Sequence, residues 1–145
     1  MRLGKARGGD LLALAGALCV VVSLLLAWYE SPSGTLDAWD TFGPAVVLLL
    51  GAAAAALAMF ATAVMERGTA PAVAVSVCTI PLAIAGAIAA IVRVLERPEH
   101  ATGLCAGAWL ALAGALTILV GAWRSVSDER GSLYPPATPE TRPRP

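Results

Sequence analysis

Charged residues are absent from four long stretches of this chain. Asp, Glu, Lys and Arg do not occur at residues 11–29, 41–65, 68–92 and 101–123. A helix that crosses a bilayer needs about 20 consecutive apolar residues. Its backbone polar groups must also be satisfied within the segment, because hydrocarbon offers them no partner. The pattern therefore predicts four membrane-spanning helices.

The helices are predicted at residues 11–28, 44–65, 71–92 and 101–123. Pro44 and Pro71 stand at helix starts, where a missing backbone N–H costs nothing. The turn at 66–71 is short, so the helices on either side of it must be antiparallel neighbours. The predicted fold is an all-α integral membrane four-helix bundle with up-down-up-down order. A cytoplasmic N-terminus (1–10) precedes the transmembrane domain (11–124), and a disordered Pro-rich tail (125–145) follows it.

Composition supports the same class of protein. Hydrophobic residues make up 58% of the chain and charged residues 14%, whereas a soluble domain carries about 25% charged residues. The net charge is zero and no dense Lys/Arg cluster occurs, so we expect no nucleic-acid partner. The first apolar run lacks a small-x-small cleavage pattern, so we interpret it as a retained helix rather than a signal peptide.

Basic residues are distributed unequally between the two predicted sides. Cytoplasmic loops of membrane proteins are enriched in Lys and Arg. With the N-terminus inside, only Arg93 and Arg97 lie outside, and the inner side holds Arg2, Lys5, Arg7, Arg67, Arg124, Arg130, Arg142 and Arg144. We therefore predict cytoplasmic N- and C-termini. Trp28, Tyr29 and Trp123 end predicted helices, and we interpret them as anchors at the membrane interface.

Small residues and one proline predict how the helices pack. Membrane helices associate where small side chains allow close approach. Such residues are spaced four apart on the fourth predicted helix, and we assign helix packing to Gly103, Gly107, Ala111 and, on the third helix, Gly86. A homodimer through the fourth helix is the alternative. Pro81 lies within the third helix and predicts a kink.

A seven-residue pattern recurs in three of the predicted helices. It reads LALAGAL at 12–18, LAIAGAI at 82–88 and LALAGAL at 110–116. The spacing of the copies does not match a duplicated hairpin. We interpret the recurrence as Ala/Leu-rich composition and a shared packing requirement.

The first outer loop has an amphipathic segment at residues 35–42. Its apolar side chains recur at helical spacing, with carboxylates on the other face. We expect it to anchor the second helix at the membrane surface. Charges of the two outer loops are expected to pair, and a shallow ligand or partner site between the loops is the alternative. The candidate outer-face interaction residues are Trp39, Phe42, Asp37, Asp40, Arg93 and Arg97.

Residues that carry chemistry are sparse. Cys19, Cys78 and Cys105 lie on separate helices with no CxxC pair, and His100 as the sole histidine cannot form a metal site or triad. No Asp, Glu, Lys, Arg or His lies within a predicted span, where proton-coupled transporters place such a residue. We expect no catalytic site, no metal and no cofactor, and hence no enzyme.

Two sequence segments carry a resemblance. Ala27-Trp28-Tyr29 before a polar loop, and Ala38-Trp39-Asp40-Thr41-Phe42 before an Ala/Leu-rich helix, resemble uncharacterised bacterial integral membrane proteins with four transmembrane helices. The resemblance implies a fold in the bacterial cytoplasmic (inner) membrane, without an activity.

We predict a structural, accessory or partner-binding role for the chain. The expected partners are membrane lipid and another membrane protein or a second copy of this chain. The alternative is a subunit of an oligomeric small-solute or lipid transporter.

Overall fold

The computed structural model describes residues 8–65 and 69–133 of the chain. In that part, five α-helices and three short strands follow one another. The helices are α1 (Gly8–Leu24), α2 (Ala38–Phe42), α3 (Val46–Val64), α4 (Thr69–Leu95) and α5 (Ala106–Leu133). The strands are β1 (Tyr29–Ser31), β2 (Gly34–Leu36) and β3 (Gly103–Leu104), and a 3-10 turn at Gly43–Ala45 leads into α3.

Three helices are long and apolar enough to cross a membrane. They are α3, the Val77–Leu95 part of α4 and the Ala106–Asp128 part of α5. α1 is also apolar but has only 17 residues. Large hydrophobic side chains on all four of these helices are exposed, among them Leu18, Val47, Ile88 and Val120. Water would penalise such exposure, so the surface suits a hydrocarbon surrounding.

The four long helices pack against one another in pairs. α1 lies against α5 and α3, while α4 lies against α3 and α5. α3 and α4 are antiparallel. Gly86 of α4 faces Ala52 of α3, whereas the hydroxyl of Thr79, which comes earlier in α4, donates to a carbonyl that comes later in α3. Thr79 also donates to the Val75 carbonyl within its own helix, at 2.8 Å. The buried Thr79 hydroxyl therefore has a hydrogen-bond partner.

Backbones approach most closely between α1 and α5. A Cβ on Gly16 would lie 2.6 Å from the Gly114 carbonyl oxygen, and one on Gly114 would lie 2.9 Å from that of Gly16. A Cβ on Gly121 would lie 2.7 Å from the Gly9 carbonyl oxygen. Gly9 of α1 faces Gly121, which comes later in α5, and Gly16 faces Gly114, which comes earlier. The two helices are therefore antiparallel. Only glycine allows the carbonyls this close, as expected where apolar contact gains nothing over lipid.

The recurring pattern of the sequence has a structural use in this interface. Gly16 and Gly114 occupy the same position in the copies at 12–18 and 110–116, and they face each other. Ala13, Ala17 and Ala111 are fully buried around them. For these two of the three copies, the shared packing requirement is therefore their contact with each other.

A three-stranded antiparallel sheet in the order β2-β1-β3 caps one end of the helices. The all-α expectation is wrong in this respect, although the fold is mostly helical. β1 and β2 form a hairpin whose turn lies at residues 32–33. Gly34 follows the turn at φ +136°, a conformation that side chains rarely allow. We call the end of the helices at this sheet the sheet end.

α1 ends at Leu24, earlier than the predicted Trp28. The Ser23 carbonyl, one of the last in the helix, accepts from the Leu26 amide at 3.2 Å and from the Trp28 indole at 2.8 Å. Carbonyls at a helix end need such partners once the helix stops. Trp28 and Tyr29 are fully buried. Their assignment as interfacial anchors is therefore wrong, since both belong to the core.

The last helix also differs from its prediction. α5 begins at Ala106 rather than at residue 101, because 103–104 pair with β1. It continues to Leu133, so the predicted disorder of the tail does not hold for residues 125–133. Residues 134–145 lie outside the described residues. α4 runs through Pro81 to Leu95 as one helix, and the kink at Pro81 stays a prediction.

Candidate functional site

The sheet joins the two predicted outer loops into one unit. β1 lies in the loop after α1 and β3 in the loop after α4, and they pair directly. The Glu30 carbonyl accepts from the Thr102 amide at 2.8 Å and from its hydroxyl at 3.2 Å. The Tyr29 hydroxyl donates to the Arg93 carbonyl at 2.5 Å. Main-chain and hydroxyl groups therefore hold the loops together, and pairing of their charged side chains stays a prediction.

Tyr29 is the buried centre of this unit. Burial raises the pKa of its phenol above the ordinary value, and the positive charges of Arg93 and Arg97 partly oppose that rise. Both candidate arginines thus lie near the phenol, and Arg93 is half-buried. The structure brings these two residues together with Tyr29, a contact that sequence reasoning missed because it placed Tyr29 at the membrane surface.

α2 stands beside the sheet and is fixed by its first residues. The Asp37 carboxylate accepts from the Trp39 amide at 2.8 Å and from the Asp40 amide at 3.0 Å. The Thr41 hydroxyl donates to the Asp37 carbonyl at 2.8 Å. Asp37 is therefore an N-cap, a local role that its assignment to the interaction surface had not included. Trp39 and Asp40 are exposed, and the side chain of Phe42 lies outside the described residues.

An open groove lies between α3 and α4 near the sheet end. Its volume is about 460 Å³, and it is lined by Ala45, Leu48, Ala85, Ile88, Ala89, Val92, Arg93 and Glu96. Sequence reasoning identified Arg93 but missed the groove and Glu96. The available signal was the spacing of small residues, since Ala85, Ala89 and Arg93 follow at four-residue intervals on one face of a helix.

A buried polar contact lies at the opposite end of the helices. Asp10 is 4% exposed, and the Ser125 hydroxyl donates to its carboxylate at 3.0 Å. Asp10 also has a further interaction within the protein. Sequence reasoning gave Asp10 no role beyond preceding the first uncharged stretch, and it placed Ser125 in the disordered tail. Their contact depends on α5 continuing beyond Trp123, which hydrophobicity alone did not indicate.

The residues assigned to helix packing occupy two different environments. A Cβ on Gly107 would lie 2.6 Å from the Ala27 carbonyl oxygen, and one on Gly86 would lie 3.1 Å from the Ala52 Cβ. Ala111 is fully buried. Gly103 is not helical: it lies in β3, where a Cβ would meet the Glu30 carboxylate at 3.1 Å. The assignment of Gly103 to a helix stripe is therefore wrong.

Cys19, Cys78 and Cys105 are free thiols. Across residues 8–65 and 69–133, no three His, Cys, Asp or Glu side chains converge in a way that could hold a metal ion. No protein-family model matches the chain, and no curated protein or solved structure is significantly similar to it. Three helices of spanning length and an apolar exposed surface indicate a mostly helical membrane protein.

Proposed function

We propose that this chain is a four-span protein with a structural, accessory or partner-binding role in the cytoplasmic membrane. α1 has 17 residues, the lower limit of the range of about 17 to 25 that crosses a bilayer. The exposed Leu25 and Leu26 extend its apolar surface. The antiparallel pairs α1/α5 and α3/α4 support an up-down-up-down bundle. Most Lys and Arg residues belong to the segments predicted on the inner side, opposite the sheet end. This distribution supports an outward-facing sheet end and cytoplasmic termini.

The observation that carries the proposal is the fixed presentation of Trp39. Its side chain is 56% exposed, while α2 is capped by Asp37 and contacts both α1 and α3. An indole held on a rigid platform loses little conformational entropy when a partner covers it, which is why Trp is common at the centre of protein interfaces. We infer that Trp39 is the anchor of a docking surface at the sheet end.

The charge around Trp39 indicates the kind of partner. The segment at residues 29–43 contains Glu30, Asp37 and Asp40 and no basic residue. Glu30 and Asp40 are exposed. Opposite charges at the rim of an interface favour association and orient it. The partner that fits is another membrane protein whose external loop is basic.

Among the described residues, the buried hydroxyls argue against a path for a polar solute and leave the apolar-solute or lipid transporter as the alternative. Ser23 donates to the Val20 carbonyl at 2.6 Å, and Ser125 donates to Asp10. Thr79 donates to Val75. A path for a polar solute needs polar groups directed into it, whereas these three hydroxyls are used in contacts within the protein.

Site-specific crosslinking in native membranes tests the proposal. A photoreactive residue replaces Trp39 in one variant and Trp109 in a control, because the two indoles are exposed to nearly the same extent, 56% and 55%. We expect a discrete protein adduct at position 39 that does not form at position 109. Addition of Asp40→Lys to the first variant should weaken that adduct. Adducts with lipid alone at position 39, or identical adducts at both positions, would refute the docking surface.

A further inference from the structure

We propose that the groove between α3 and α4 binds one phospholipid with a primary ammonium headgroup, such as phosphatidylethanolamine. The proposal is independent of the docking surface at Trp39 and rests only on the membrane class of the protein. It assigns the acyl chain to the apolar part of the groove, the phosphate to Arg93 and the ammonium to Glu96.

The lining of the groove suits an acyl chain. Six of its eight lining residues are apolar, and three of these six, Ala45, Ala85 and Ala89, are small. From Ala85 to Arg93 the helix rises about 12 Å, at about 1.5 Å per residue. The groove therefore follows α4 over this distance, and its lining includes the exposed side chains of Ile88 and Val92, which would contact hydrocarbon in a membrane. In a bilayer, a chain of methylene groups is the ligand always present at such a surface.

Arg93 ends the small-residue row of the groove. Its guanidinium carries five N–H donors, so it can bind a phosphate while keeping its interaction within the protein. Its half-burial beside Tyr29 limits the orientations available to it. A planar donor group held in one place suits bidentate binding of phosphate oxygens.

Glu96 selects among phospholipids by its position. It is exposed and directly follows Leu95, the last residue of α4, three residues beyond Arg93. In phosphatidylethanolamine a short ethylene linker joins the ammonium to the phosphate, so the ammonium can reach a carboxylate beside the phosphate site. A primary ammonium donates hydrogen bonds to a carboxylate, whereas the trimethylammonium of phosphatidylcholine has no donor and phosphatidylglycerol has no positive charge. The apolar groove, the guanidinium of Arg93 and the carboxylate of Glu96 therefore match the acyl chain, the phosphate and the ammonium of this lipid.

Lipid titration of the full-length protein, followed by native mass spectrometry, tests the assignment. The probes are phosphatidylethanolamine, phosphatidylcholine and phosphatidylglycerol with identical acyl chains. We expect one molecule to bind with highest affinity, and we expect that molecule to be phosphatidylethanolamine. Arg93→Gln should reduce its affinity about tenfold, the effect of losing one hydrogen bond between charged groups. Glu96→Gln should equalise the affinities for phosphatidylethanolamine and phosphatidylcholine.

Two matched controls distinguish this site from general attraction of headgroups. Arg97 and Glu99 carry the same charges shortly after α4 but do not line the groove, so Arg97→Gln and Glu99→Gln should leave the affinities unchanged. Ala89→Leu should occupy part of the groove and lower the affinity for the lipid, with an unchanged helical circular dichroism spectrum as the check that the variant is folded. Tighter binding of phosphatidylglycerol, equal losses in Arg97→Gln and Arg93→Gln, or a protein dimer that Ala89→Leu disrupts would each overturn the proposal.

Discussion

Replacing Gly16 by alanine tests the central packing contact of this fold. The added methyl group would lie 2.6 Å from the Gly114 carbonyl oxygen and 2.7 Å from the Ile118 amide nitrogen. Ordinary van der Waals contact begins at 3.4 Å. Both neighbouring atoms belong to the backbone, so no rotamer change relieves the overlap. α1 and α5 must therefore separate by about 0.8 Å, a gap that forfeits a quarter to a half of the dispersion energy along the interface.

The expected loss follows from two opposing contributions. Overpacking of a rigid interface costs about 3 kcal/mol, the upper part of the usual range. Alanine in place of glycine stabilises a helix by about 1 kcal/mol. The net destabilisation of Gly16→Ala is then about 2 kcal/mol, which lowers the melting temperature by about 4–8 °C for a chain of this length.

Gly51→Ala is the matched control, because it makes the same chemical change within a helix. The nearest atom to a Cβ on Gly51 is the Leu82 Cδ2 at 3.8 Å, so only the gain in helix stability remains. We expect its melting temperature to rise by about 2–4 °C. The assay is thermal unfolding in lipid nanodiscs, followed by intrinsic fluorescence. If Gly16→Ala melts at or above the wild-type temperature, the close approach of α1 and α5 is refuted.

Two further predictions concern polar groups at opposite ends of the helices. Because its folded-state pKa is raised, Tyr29 stabilises the fold fully below its unfolded pKa and loses that contribution as the pH rises above about 10. The wild type should therefore lose more melting temperature between pH 9 and 11 than Tyr29→Phe, and equal losses would contradict this. Ser125→Ala should destabilise the protein by about 1–3 kcal/mol, because a buried partner of Asp10 is removed. Unfolding in denaturant measures this loss of stability. Ser127→Ala is the control, because Ser127 is exposed on the same helix.

The sequence by itself determined the class of protein and the approximate position of each long helix. Uncharged blocks of about 20 residues have one stable form in hydrocarbon, because the helix alone satisfies its own backbone groups. The helical segment before α3 also followed from local chemistry. All of these features depend on neighbours within a few residues of one another.

Only the tertiary structure decided which glycines face each other and where α1 ends. Pairing of β1 with β3 depends on residues far apart in the chain, and strands of three and two residues leave no periodic signal. That pairing moves Gly103 out of the last helix and places Trp28 and Tyr29 in the core. The groove, likewise, is lined by residues of two helices that lie about 40 positions apart in the chain. Such contacts are set by the joint packing of several helices, and the apolar pattern of each helix is compatible with many arrangements.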